Sequence, residues 1–126
     1  MIMKQAMTAA MAVLMALGSA GPAAAARPKT ALDVSYEADA GYAVAVTLRC
    51  GPAGGGHPKA AKACATLTKA GGRPARLKPA KTLCTLEYSP VTARIEGTWK
   101  GRKVRWAKTY GNRCDLARAT GVVFDF

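Results

Sequence analysis

Four cysteines, Cys50, Cys64, Cys84 and Cys114, constrain the fold of this chain more than any other feature. All lie between Arg27 and Phe126, a length that makes one domain with a real but marginal core, where cross-links add stability. An even count in a short exported chain reads as two disulfides, and spacing alone leaves all three connectivities open. Zinc is the poorer reading. No cysteine pair has C-x2-C spacing, and the single histidine, His57, has no ligand-spaced partner, so neither a metal nor another cofactor is expected.

The oxidising setting follows from the start of the chain. Lys4 is the only charge before Arg27, and Ala6 to Leu17 is an uncharged run dominated by Ala, Met, Val and Leu. Gly18, Gly21 and Pro22 then break any helix ahead of Ala23 to Ala26. A positive start, a short apolar centre and small residues before a cut are the parts of a secretory signal peptide. Cleavage is expected after Ala26, because Ala24 and Ala26 supply the small-x-small pattern, which leaves 27–126 as the mature domain. A membrane anchor is the competing reading, but the run falls short of the about 20 apolar residues that a spanning helix needs. The mature chain is therefore expected to be extracellular, with no membrane attachment once the leader is removed.

Charge narrows the partners. The chain carries 19 Lys and Arg against 7 Asp and Glu, a formal net charge of +12. That balance fits either an acidic partner or a solvated basic surface. Positive residues spread from Arg27 to Arg118 and cluster loosely at Lys59, Lys62, Lys69, Arg73, Arg76, Lys78 and Lys81. No aromatic residue is interleaved there, so bases would find no stacking platform. Specific nucleic-acid binding is not expected, although charge alone permits non-specific adhesion.

Patterning predicts two β-rich blocks around a loop-rich middle. Leu32, Val34 and Tyr36 alternate with polar residues, Ala40-Gly41 turns the chain, and Tyr42, Val44, Val46 and Leu48 alternate again up to Cys50. This is the pattern of an antiparallel hairpin. Gly51 to Gly56 reads as loop. Pro58 opens a predicted alanine-rich helix through Leu67, and a Cys50–Cys64 bond would pin that helix to the end of the hairpin. Gly71-Gly72-Arg73-Pro74 ends regular structure, and Ala75 to Ser89 is expected to be extended and exposed, framed by Pro79 and Pro90. A strand then runs from Val91 through Trp99, Lys100-Gly101 turns tightly, and Val104 and Trp106 lead back to Tyr110. Cys114 to Ala119 is a short helix candidate, and Val122 to Phe126 reads as a terminal strand. The class is α+β, an antiparallel sheet with short helices on one side.

Catalysis fails on inventory. The mature chain has two serines, Ser35 and Ser89, and nothing in the sequence brings either to His57, as Ser-His-Asp chemistry requires. His57 reads instead as a helix-start residue with a structural hydrogen bond. The seven carboxylates form no acid–base motif, and four oxidised cysteines leave no thiolate nucleophile. No catalytic residue is assigned, and the chain is not read as an enzyme.

The informative stretch is Cys84-Thr85-Leu86-Glu87-Tyr88-Ser89-Pro90. Spacing alone favours a plain strand here, since Leu86 and Tyr88 alternate and could face a core. However, with Val91 this stretch resembles the reactive-site segment of the Streptomyces subtilisin inhibitor family. The run Glu96-Gly97-Thr98-Trp99-Lys100-Gly101-Arg102-Lys103-Val104 is similar to that family's hairpin, and Asn112-Arg113-Cys114 and Gly121-Val122-Val123-Phe124-Asp125-Phe126 match as well. Upstream, Leu48-Arg49-Cys50-Gly51-Pro52, Gly56-His57-Pro58 and Ala63-Cys64 resemble its first half. The likeness covers nearly all of the mature chain, in order.

The resemblance implies Cys50–Cys64 and Cys84–Cys114 disulfides, a five-stranded antiparallel sheet with two helices, and a homodimer built by sheet packing. It also implies inhibition of subtilisin-like or chymotrypsin-like serine proteases by a substrate-like mechanism. Leu86–Glu87 would be the reactive bond. Leu86 would enter the protease's primary specificity pocket, with Thr85 and Cys84 before it and Glu87 and Tyr88 after it. Asn112 would brace the loop through its side-chain amide, and Cys114 would anchor it. The alternative is a secreted cationic module on the same fold, using the basic middle segment to hold an anionic polymer or surface.

Overall fold

The computed structural model describes Gly18 and residues 29–126, so the expected signal peptide lies outside the described residues. β1 (Thr30–Ala38) and β2 (Tyr42–Cys50) form an antiparallel hairpin in which Val34 pairs with Val46 and Tyr36 with Val44. Alternation decides which face is dry. Leu32, Val34, Tyr36 and Ala38 are buried while Asp33 and Glu37 between them are exposed, because successive side chains leave a strand on opposite sides.

The later strands are β4 (Val91–Trp99), which pairs with the other edge of β1, and β5 (Arg102–Tyr110), which returns along β4. Val91, Ala93 and Ile95 extend the inner face. At the turn between these strands, Lys100 and Gly101 both have positive φ, 47° and 82°, as a two-residue hairpin turn matched to strand twist requires. The turn amides reach back to β1. Lys100 N–H donates to Thr30 Oγ1 at 2.9 Å and Gly101 N–H to the Lys29 carbonyl at 2.8 Å.

The sheet has five strands, but the fifth is not where patterning put it. β3 is Gly54–Gly55, inside the stretch read as loop, and it pairs with Leu48 and Arg49 of β2 to give the order β3-β2-β1-β4-β5. A Cβ on Gly55 would lie 2.2 Å from the Thr47 carbonyl oxygen, so only glycine permits this approach.

The expected terminal strand, Val122 to Phe126, does not form. Val123 and Phe124 are buried side by side, which a strand with one dry face does not allow. The tail runs as successive turns, and side chains take its carbonyls instead of a β-ladder. His57 Nε2 donates to the Val123 carbonyl and the Tyr36 hydroxyl to the Phe126 carbonyl, each at 2.9 Å. His57 Nδ1 accepts from Lys59 N–H at 2.9 Å, so both ring nitrogens are engaged in structure, as expected. Lys59 also pairs with Asp125, and this contact holds the Asp125 carboxyl below its ordinary value.

Both helices pack on the inner face. α1 (Ala60–Lys69) starts two residues beyond Pro58 because Lys59 is its N-cap, and it runs past Leu67. Its buried side chains, Ala63, Cys64 and Leu67, recur at helical spacing. The Cys50–Cys64 disulfide ties it to the end of β2, with Cα atoms 5.7 Å apart. α2 (Arg113–Thr120) extends the expected helix by one residue at each end and buries Leu116 and Thr120. The segment expected to be extended from Ala75 opens instead with one 3-10 turn, Pro74–Arg76. No helix among the described residues is long and apolar enough to cross a membrane.

Candidate functional site

Beyond Leu77 the backbone has no regular structure until β4 begins at Val91. Here Leu86 and Tyr88 do not face a core. Leu86 is fully exposed at 101%, and Leu83 and Tyr88 are exposed at 95% and 83%. A small domain does not present three such side chains together without reason, because each forgoes about 1.5–3 kcal/mol of burial.

The segment is exposed and yet tied at several points. Ala80 N–H donates to the Arg118 carbonyl and Ser89 N–H to the Gly111 carbonyl, both at 2.8 Å. The Cys84–Cys114 disulfide joins the loop to the first turn of α2, with Cα atoms 5.7 Å apart. Asp39 N–H holds the Pro90 carbonyl at 3.1 Å where the loop enters the sheet.

Asn112 is the central tie. It is buried, with extended backbone (φ −165°, ψ 175°), and serves as the N-cap of α2. Its Oδ1 accepts from Asp115 N–H at 2.8 Å, satisfying one of the free amides of the first turn. Its Nδ2 donates to the Thr85 carbonyl at 3.1 Å and to the Glu87 carbonyl at 2.8 Å. Both amide hydrogens are thus used, one on each side of Leu86. Held from behind at the residues before and after it, Leu86 projects outward, and its own carbonyl takes no part in these bonds.

The structure brings together every residue named for this site: Cys84, Thr85, Leu86, Glu87 and Tyr88 on the loop, and Asn112 and Cys114 beneath it. Two features escaped sequence reasoning. One is the helix-capping role of Asn112, for which the Asn-x-x-Asp spacing from Asn112 to Asp115 was an available signal. The other is Leu83, an exposed apolar residue at the loop's entrance, which no pattern marked.

The residues considered for catalysis stay apart. Ser35 lies on the outer face of β1, opposite Ala45 and Arg94, and His57 is committed to Lys59 and Val123. What remains is an apolar extended segment on a covalent and hydrogen-bonded support. Such a segment is suited to enter another protein's cleft.

Comparison with known proteins agrees with this class. The chain belongs to the subtilisin inhibitor-like family, whose sequence pattern matches residues 26–112, and this is a family of inhibitors rather than of enzymes. It is 47% identical over 93 residues to Subtilisin inhibitor-like protein 1 of Streptomyces cacaoi, covering 71% of this chain and 84% of that one. It is 42% identical over 92 residues to Protease inhibitor SIL-V5 of Streptomyces luteoverticillatus, covering 71% and 85%. The fold is also similar to a chain in the crystal structure of Streptomyces caespitosus sermetstatin in complex with Bacillus licheniformis subtilisin. There the TM-score is 0.61 at 26% identity, over 77% of this chain and 100% of that one.

Proposed function

We propose that this chain is a secreted inhibitor of subtilisin-like or chymotrypsin-like serine proteases and that it presents Leu86–Glu87 as a bond the enzyme binds but hydrolyses slowly. The pair of Asn112 hydrogen bonds flanking Leu86 carries this reading. A loop already ordered in the bound form loses little entropy on docking. Interfaces of such inhibitors bury about 1,600 Å² in all and can be very tight.

In the reaction, the protease nucleophile attacks the Leu86 carbonyl carbon. The bond to the Glu87 nitrogen breaks, and that nitrogen departs as an amine with a proton from the protease's general acid. The Cys84–Cys114 disulfide and the Asn112 bond to Glu87 hold that amine beside the acyl carbonyl. It can therefore attack in reverse before water does. Leu86 suits a hydrophobic specificity pocket and would leave the acidic pocket of a trypsin unpaired.

The likeness to a chain crystallised in complex with subtilisin supports that class of target. The outer face of the sheet supports the homodimer reading, because Ala31, Ser35, Ala43, Ala45 and Ala107 leave room for a second sheet to approach.

The test is titration of subtilisin with the oxidised chain 27–126, followed by mass spectrometry. The expected result is stoichiometric loss of activity, with any slow cut between Leu86 and Glu87. Rapid digestion without inhibition would remove the proposal. Sedimentation of the same sample reports the dimer.

A further inference from the structure

The fold collects cations that the sequence scatters. Two clefts lie side by side along the 3-10 turn and share Arg76. The first, about 340 Å³, is formed by α1, the segment after the turn and α2, and it places Lys69, Arg76, Lys78 and Arg118 on its walls. The second, about 280 Å³, lies between the turn and β5 and carries Arg73, Arg76, Arg102, Lys103 and Arg105. Lys103 and Arg105 leave β5 on its outer face, opposite Thr98 and Glu96, so six cations from four parts of the chain, Lys69, Arg73, Arg76, Lys78, Arg102 and Arg118, form one continuous track.

Little within the protein neutralises them. Of the six, Arg118 alone has an ion pair among the described residues, with Asp115 at 2.9 Å. Arg102 donates to the Gly71 carbonyl at 3.0 Å, which fixes its guanidinium without changing its charge. Among the described residues, Lys69, Arg73, Arg76, Lys78 and Arg102 form no ion pair. Holding like charges together is unfavourable unless counter-ions or a ligand neutralise them.

The track's form selects among anions. It is two open clefts in a row rather than one closed pocket, so it suits a linear chain of charges. It offers no free aromatic face. Trp106 lines the second cleft but is half-buried and packs on Phe124 at 6.1 Å between ring centroids. Bases would gain no stacking there, whereas phosphates need only cations and N–H donors.

We infer that this track binds a linear phosphodiester polymer that carries no bases, through its phosphates alone. None of the six cations belongs to the Cys84–Tyr88 loop, so the inference stands whether or not the protease reading does.

The probe is fluorescently labelled poly(glycerol phosphate), with oligodeoxythymidylate of equal phosphate number as the comparison. Five unpaired cations predict a log–log slope of affinity against salt of about −3.5, from roughly 0.7 per neutralised phosphate on a flexible strand. Affinity should therefore fall on the order of a hundredfold between about 50 and 200 mM salt.

The triple variant Arg73→Gln/Arg76→Gln/Lys78→Gln should lose most of the binding and flatten the slope. The triple variant Arg49→Gln/Arg94→Gln/Lys108→Gln removes the same charge from residues that line neither cleft, and it should bind nearly as the parent does. Thermal melting of both checks that they fold. Equal losses in the two variants would show diffuse attraction to net charge and overturn the inference, as would a salt-independent affinity. Binding of the oligodeoxythymidylate more than about tenfold tighter than the base-free polymer would overturn it too, because the bases would then be read.

Discussion

Replacing Asn112 by aspartate separates two functions that one side chain performs. Aspartate keeps an oxygen where Oδ1 accepts from Asp115 N–H, and Asn and Asp are near-equal N-caps. It has no N–H to offer the Thr85 and Glu87 carbonyls. Two hydrogen bonds at about 1 kcal/mol each amount to about 2 kcal/mol of lost bracing, a factor of roughly 30 in a rate that depends on it. Because Asn112 is buried, the aspartate also sets a carboxylate against the two carbonyls, so global stability should fall by about 1–3 kcal/mol, several degrees or more in Tm for a domain of this size. Asn112→Ala removes the cap, at about 1 kcal/mol, but buries no charge.

The assay incubates each variant with a fixed amount of subtilisin and follows both residual activity and intact mass. Asn112→Asp should bind at first and then be cut between Leu86 and Glu87 roughly 30 times faster than the parent. Asn112→Ala, which also lacks the two donors, should show the same faster cleavage. The reasoning is refuted if Asn112→Asp survives as long as the parent while folded, because the two hydrogen bonds would then contribute nothing to resistance.

Three further outcomes follow from the same geometry. Leu86→Lys should add inhibition of trypsin, measured by titration against a chromogenic substrate, because the ammonium meets the acidic pocket that leucine leaves empty; no gain against trypsin counts against Leu86 as the specificity residue. The double variant Cys84→Ser/Cys114→Ser opens a covalent loop with a sequence separation of 30 and should cost about 3.6 kcal/mol on the chain-entropy account, read by denaturant unfolding. Asp125, whose pKa is lowered chiefly by its hydrogen bond and charge contact with Lys59, should contribute stability above its ordinary range and lose it as pH falls through the depressed value. Melts recorded downward from about pH 5 should show this decline, and Lys59→Met should make it shallower.

How far the sequence reveals the fold depends on whether the deciding contact is local. β1 and β4 are legible because buried residues recur with a period of two, and β2 and β5 because apolar residues alternate with more exposed ones; a period is visible without a partner. Gly54–Gly55 has no side chains to carry a pattern, and its pairing is permitted by the empty space a Cβ would fill against Thr47. The tail misleads because Val122, Val123 and Phe124 make a short apolar run with β propensity. Its true partners, His57 and Tyr36, are 66 and 90 residues away. The same holds at the loop. Leu86 and Tyr88 alternate as strand residues would, and the hydrogen bonds that turn them outward come from Asn112, 25 and 27 residues downstream of the carbonyls it holds. The disulfide pairing was open on spacing and came only with the likeness of the whole ordered set of motifs.

The position of Cys84–Cys114 has a consequence for what a cut means. Hydrolysis of a backbone bond ordinarily turns one particle into two, and their independent motion favours the products. Here one cysteine precedes Leu86–Glu87 and the other follows it, so water can enter the bond without changing the number of molecules. β1 and β4 also lie on opposite sides of that bond and remain paired along their length. A nicked chain would therefore migrate as a single species until it is reduced. The difference in free energy between the nicked and closed forms is then set by local strain and ionisation at the new ends, with no contribution from fragments dispersing.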